Sequence, residues 1–510
     1  MADIEIGTQA ALHLQDKLGA TSLLEAKKAS DAEHEESTWV ALKRNRKAVL
    51  WSLMVSMSVV MEGYDTILIS NFIGYPSFAK KYGNYYGPDR GYLISTPWQQ
   101  GISMGSTVGA IFGGIMNGQL CTRFGYRKVM CISLVFMAAF IFITFFANSL
   151  AVLLVGQILC GFSWGVFATV GPSYASEVCP TNLRAYLTTY VNLCWAIGQL
   201  IAAGVMESLI NRPDQWSYRI PFAIQWLWPL PLTIGCYLMP ESPWYLVGRD
   251  RIEEAKQSLR RLTSDRTNDE LNGQLAMILH TIKMESEVTA GTSYLECFKG
   301  SDLRRTEIAC LAFAGQILSG STFAYVPTYF FENAGLSPDD AYKLNLGTTS
   351  IAFVGTILSW WLIAYIGRRS IYLGGQVITL VLLLLIGIVS VSSHTKGALW
   401  AQSALCILWI VNIFSQVVEP QFMNPTALNA KGKTAFFWAG TGVLMLVWAY
   451  FRLPEPNGRT YEELDILFRR GVSARKFTIE KVDAYEEVNN LTKMEEVVEH
   501  QEDATQIKSG

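Results

Sequence analysis

The chain has 510 residues, 50% of them hydrophobic and only 16% charged, where a soluble domain carries about 25% charged residues. The charges gather in tails and loops and leave long uncharged runs, which excludes an ordinary soluble enzyme and reads as an all-α polytopic membrane protein. A net charge of −2 says nothing about partners, because the opposite charges occupy different places.

The first forty residues are polar and lack an apolar signal core. The first membrane-length stretch then runs from about 48 to 73 and contains two acids, Glu62 and Asp65. A charge at that depth costs roughly 2.5–3.5 kcal/mol on insertion scales. Three residues apart, the two acids share a helix face. Either they form a proton or cation site beside a solute pathway, or they snorkel to the outer surface with help from Gly63. Further spans are predicted near 99–119, 128–147, 150–172, 186–206 and 221–238. A polar stretch of residues 240–305 follows, with helices expected over 251–262 and 269–285. Leu271, Leu275, Ile278 and Ile282 form one stripe of the second. The remaining spans lie near 306–331, 344–366, 371–391, 398–418 and 435–451.

Basic residues orient these spans. Lys43, Arg44, Arg46 and Lys47 precede the first; Arg123, Arg127 and Lys128 join the second and third. Ten lie between Arg249 and Arg305, and Arg368 and Arg369 separate the eighth and ninth. The segment 147–149 on the other side has none. Both termini are therefore expected in the cytoplasm, yet eleven spans would place them on opposite sides. The conflict falls in Asn412–Thr426, too short and polar for another crossing.

The basic loop Gly118–Lys128 has a counterpart in Ile366-Gly-Arg-Arg369, and Pro240-Glu-Ser-Pro243 has one in Pro454-Glu-Pro456. Singly these read as positive-inside bias and turns. As pairs at matching positions they point to a repeat of six spans. Gly161, Gly165 and Gly171 read as helix-packing positions. Glu177 and Arg184 are either a gate ion pair or plain surface charge. Gln199, Gln225 and Gln316 are amides in apolar spans and should face the bundle interior, as interhelical glue or as partners for sugar hydroxyls. Trp195 stacks on a sugar ring or anchors at the interface. The nine cysteines and five histidines form no metal-binding spacing; no catalytic, metal or cofactor site is expected, and no nucleic-acid partner.

These motifs, with Pro172-Ser-Tyr-Ala-Ser-Glu177 and Arg219-Ile-Pro-Phe-Ala-Ile-Gln225, resemble the sugar porter family of the major facilitator superfamily. Gly63-Tyr-Asp-Thr66, Tyr186–Gln199, Thr328–Gly335 and Phe436–Gly440 resemble its fungal maltose and α-glucoside permeases. The resemblance implies two six-helix halves, alternating access and proton-coupled sugar uptake by a plasma-membrane monomer. It implies proton coupling at Asp65, then Glu62, and substrate contacts from Gln199, Gln316, Thr322 and Trp195. Arg123, Arg127, Glu177, Arg184, Glu241, Arg368 and Arg369 become the cytoplasmic gating motifs. The expected division is a tail 1–47, a first half 48–239, a loop 240–305, an incomplete second half 306–453 and a tail 454–510. Departures are Thr122 for the usual aspartate, Gln157 where many hexose carriers have an arginine facing the acid, and Ile317 for the second of two glutamines. About 40–50 residues would restore the missing crossing and loop. A truncated or mis-spliced non-transporting relative, or a sugar sensor, is the rival reading. Asn490, the only glycosylation sequon, is expected to stay bare in a cytoplasmic tail.

Overall fold

The first predicted span is two helices in one line, α2 (Arg46–Ser56) and α3 (Ser58–Phe72), meeting at Met57 and preceded by the short α1 (Thr38–Arg44). The computed structural model describes residues 36–88, 91–264, 267–289, 298–318, 337–365, 368–392, 434–455, 461–477 and 479–480. The predicted span 398–418, the junction at 412–426, Thr322 and Asn490 lie outside them.

After α3 the chain makes α4 (Pro76–Tyr82) and an antiparallel ribbon of β1 (Asn84–Tyr85) and β2 (Tyr92–Leu93), with Asn84 opposite Leu93. Neither was legible in the hydropathy. Then come α5 (Thr96–Phe124), α6 (Tyr126–Phe145), α7 (Leu150–Val178) and α8 (Thr181–Leu209). The helices α5, α7 and α8 cover their predicted spans and extend past them, and α6 starts two residues before its span and ends two residues short of it. Among the described residues, five helical stretches are long and apolar enough to cross a membrane, including 46–72, 126–145, 150–178 and 182–209. The fifth, 369–389, is in the second half.

The predicted span 221–238 is not one helix. It is α9 (Trp216–Ile224), a 3₁₀ turn over Gln225–Leu227, and α10 (Pro229–Leu238). Prolines 229 and 231 have no N–H to return to the carbonyls of residues 225 and 227, so the α ladder cannot run through. Apolar content alone did not reveal this break, and the break matters because it carries Gln225.

Glycine sets the spacing of the first half. A Cβ on Gly109 would lie 2.0 Å from the Ile158 carbonyl oxygen, and one on Gly113 2.1 Å from that of Phe162. Reciprocally, a Cβ on Gly161 would lie 2.0 Å from the Ser106 oxygen, and one on Gly165 2.2 Å from that of Ala110. So α5 and α7 run parallel with backbones in contact, as small residues four apart allow. Behind them, Met130, Leu134, Met137 and Ile141 of α6 pack with Trp164, Phe167, Val170 and Tyr174 of α7 and Leu232 and Cys236 of α10. The other face of α6, with Ile132, Val135 and Phe136, is apolar and exposed, as a lipid-facing helix requires.

Below the bundle lie α11 (Pro243–Val247), α12 (Ile252–Leu262) and α13 (Asn268–Thr289). The predicted stripe holds: Leu271 and Ile278 are buried, and Leu275, Ile278 and Ile282 pack with Leu246, Val247 and Ala255. Arg44 pairs with Glu270, tying this layer to the start of the first span.

The second half shows α14 (Gly300–Leu318), α15 (Pro338–Tyr365), α16 (Arg368–Ser392), α17 (Thr434–Arg452) and the short α18 (Tyr461–Arg469). Glu307 of α14 binds Trp448 Nε1 at 3.0 Å and pairs with Arg452, both on α17. The halves meet where α15 packs on α8, with Asn345, Thr348 and Thr349 buried. The Tyr342 hydroxyl also donates to the Asn71 carbonyl of α3 at 2.6 Å.

Candidate functional site

Asp65 is buried, 2% exposed, so it does not snorkel. Gly63 serves another purpose: its Cβ would stand 2.1 Å from the Trp195 carbonyl oxygen, and a Cβ on Gly198 would stand 2.1 Å from that of Val60. The missing side chains let α3 and α8 cross at contact distance. That crossing brings Trp195 and Gln199, each 8% exposed, to the helix that carries Glu62 and Asp65.

The acid's neighbours are amides. Gln225 Nε2 donates to Asp65 Oδ1, from the 3₁₀ turn that the prolines create. The Gln157 amide of α7 is beside the same carboxyl, without forming a hydrogen bond among the described residues. Asp65 Oδ2, Gln225 Oε1 and Glu62 Oε2 are also buried without a hydrogen-bond partner among the described residues. Tyr64 fixes the frame by donating to the Pro221 carbonyl at 2.8 Å and contacting the Trp228 ring at 5.6 Å. An amide can donate to a carboxylate or accept from a carboxylic acid. Two glutamines therefore accommodate the acid in either protonation state, which an arginine at position 157 would not.

Gln316 is on α14, its side chain outside the described set; Thr322 is outside it altogether. The structure therefore unites Asp65, Glu62, Trp195 and Gln199, and leaves Gln316 and Thr322 unplaced. Trp226 is packing: it lies against Phe142 and Phe145 and donates to the Ala138 carbonyl at 3.0 Å.

The second cluster is at the basic end of the bundle. Pro240-Glu-Ser-Pro243, read from sequence as a turn, is a helix cap supplied from elsewhere in the chain. Glu241 accepts from the backbone N–H of Tyr126 at 2.9 Å and of Arg127 at 3.2 Å, the open donors at the start of α6. Gly125, at φ +84°, precedes them, and a Cβ there would lie 2.5 Å from the Glu241 carboxylate. The Tyr126 hydroxyl and Ser242 Oγ both donate to Glu177, the former at 2.5 Å. Arg184 Nε donates to the Cys179 carbonyl at 3.2 Å. Arg123 faces the Phe124 ring and Arg127 the Tyr237 ring. The second half repeats the device: Glu455 accepts from the Arg369 N–H at 2.8 Å at the start of α16. Arg368 opens that helix.

Burial is the largest influence on Glu241 and holds its carboxyl above the usual range, against three backbone N–H donors and Arg127. The folded chain then keeps this proton to a higher pH than the unfolded one. Stability falls as pH rises from the ordinary glutamate value through the raised one. Glu241→Gln should flatten that part of the slope, while the lost cap lowers stability by about 1–2 kcal/mol. Thermal unfolding of detergent-solubilised protein across this window checks both.

A family model described as "Sugar (and other) transporter" matches residues 51–404 and 394–468, two segments that meet near residue 400. Maltose permease MAL31 of Saccharomyces cerevisiae is 38% identical, over 91% of this chain and 82% of its own. The general alpha-glucoside permease of the same species is 35% identical, over 90% and 81%. Among solved structures, the proton:xylose symporter XylE bound to 6-bromo-6-deoxy-D-glucose superposes with a TM-score of 0.66 at 19% identity, covering 83% of this chain and 100% of that one. A partially occluded, inward-open XylE from E. coli gives 0.58 at 17% identity, over 79% and 98%.

Proposed function

The chain belongs to the sugar transporter family, and from that premise we propose that it imports an α-linked disaccharide of the maltose type by proton symport, with Asp65 as the proton carrier. The observation that carries this reading is a buried acid in the first span, held by the Gln225 amide with Gln157 beside it, its second oxygen free of hydrogen bonds among the described residues. Trp195 and Gln199, across the close crossing of α3 and α8, are the sugar-facing residues of the first half; Gln316 and Thr322 would answer them from the second. Glu62 is a second proton acceptor. The clusters around Glu241 and Glu455 hold matching helix ends of the two halves together, and Arg123, Arg127, Glu177, Arg184, Arg368 and Arg369 work with them at the cytoplasmic gate. The chain works as a monomer in the plasma membrane with both termini inside. The two-segment family match supports a discontinuity in the second half.

Substrate class is tested by competition. Uptake of labelled maltose should be inhibited by turanose, sucrose or trehalose and be accompanied by alkalinisation of the medium. Inhibition by glucose with none by any disaccharide would reject the α-glucoside assignment.

A further inference from the structure

A cavity of about 530 Å³ opens between the basic ends of α6 and α10 and the upper face of α12. Its lining includes four cations, Arg127, Lys128, Arg251 and Arg261, and two carboxylates, Glu241 and Glu254. The carboxylates are occupied. Glu241 caps α6, and Glu254 pairs with Arg251. Arg127 lies over the Tyr237 ring at 4.9 Å, and Arg261 donates to the Leu238 carbonyl at 2.5 Å. Lys128 is exposed and forms no ion pair among the described residues. The cavity is therefore cationic, with its acids already engaged.

Gln257, Ser258 and Tyr245 add polar groups, and the rest of the wall is apolar, with Phe124, Ile132 and Tyr237 all exposed. Beyond them an apolar track continues up the outside of the bundle. Val135 and Phe136 of α6 and Ile234 and Leu238 of α10 are each more than half exposed. A soluble anion would use only the cationic floor. An amphiphile with a negative head and two acyl chains uses both.

We propose that this cavity is a binding site for an anionic glycerophospholipid of the cytoplasmic leaflet. The headgroup phosphate sits among Arg127, Lys128, Arg251 and Arg261, and the chains lie along the outer faces of α6 and α10. Guanidinium groups match phosphate oxygens in a fork geometry, and cationic pockets between spans are where anionic headgroups collect. The site is separate from the acid in the first span and does not depend on the substrate assigned above.

The test is native mass spectrometry of the full chain in detergent with phosphatidylinositol or phosphatidylcholine added at equal concentration. One phosphatidylinositol should bind with at least fivefold higher occupancy than phosphatidylcholine. Lys128→Glu should remove that preference, since this side chain makes no hydrogen bond or ion pair among the described residues. Lys81→Glu, an equal charge change on α4, should keep it. Equal occupancy of the two lipids would overturn the proposal, as would an equal loss in both variants. Displacement of the lipid by equimolar soluble inositol phosphate or inorganic phosphate would overturn the lipid assignment and leave a free-anion site.

Discussion

Asp65→Asn is expected to abolish uphill sugar accumulation while leaving downhill entry. Asparagine is nearly isosteric and can still meet the Gln225 amide, so the frame built by Tyr64, Gln225 and the crossing of α3 with α8 should persist. It cannot carry a proton. One proton moving through about 100 mV supplies roughly 2.3 kcal/mol, and one unit of pH difference adds about 1.4. Together they support nearly three decades of accumulation. The variant should bring labelled maltose only to equal concentrations on the two sides, a fall of up to several hundredfold, and sugar entry should no longer alkalinise the medium. Counterflow in proteoliposomes, which needs no proton gradient, should stay within a few fold of the parent. An Asp65→Asn variant that still concentrates maltose with normal alkalinisation would remove Asp65 from the coupling role and pass it to Glu62, which Glu62→Gln would then have to abolish.

The acid itself was legible in the sequence because a carboxylate in an apolar run has so few acceptable environments. Its neighbours were legible only in part. Gln225 could be assigned to the interior from the cost of an amide in lipid, and Gln157 as the residue opposite the acid came from the family resemblance. What brings Gln225 to Asp65 is the 3₁₀ turn, whose signal was Pro229 and Pro231 inside a run that hydropathy reads as continuous. The packing role of Gly63 was hidden for a similar reason. A glycine beside two acids offers itself as help for snorkelling, whereas its Cβ would collide with a backbone more than 130 residues away, and no local pattern carries that. The role of Glu241 was hidden too. The repetition of its motif in both halves was visible, but the donors it satisfies belong to a helix more than 110 residues earlier. Among the described residues of the first half, the spans other than the broken 221–238 followed from composition almost unaided.

The glycines of α7 give a matched pair in which the same added methyl should act in opposite directions. Gly161→Ala places a Cβ 2.0 Å from the Ser106 carbonyl oxygen. That oxygen belongs to a backbone already in its helical ladder, so it cannot rotate aside, and α5 and α7 must separate. Three neighbouring contacts of the same kind, at Gly109, Gly113 and Gly165, then loosen with it. Overpacking on this scale costs about 1–3 kcal/mol, and the yield of monodisperse protein and its unfolding temperature should both fall. Transport should suffer more than stability, because Gln157 lies one turn from Gly161 on the helix that carries it to Asp65. Gly171→Ala, ten residues on, places its Cβ 3.8 Å from Val191 Cγ2, an ordinary contact. There the substitution removes the helix penalty of glycine, about 1 kcal/mol, so stability should hold or rise. If both variants unfold at the temperature of the parent, α5 and α7 are not in backbone contact, and the placement of Gln157 beside the acid falls with that contact.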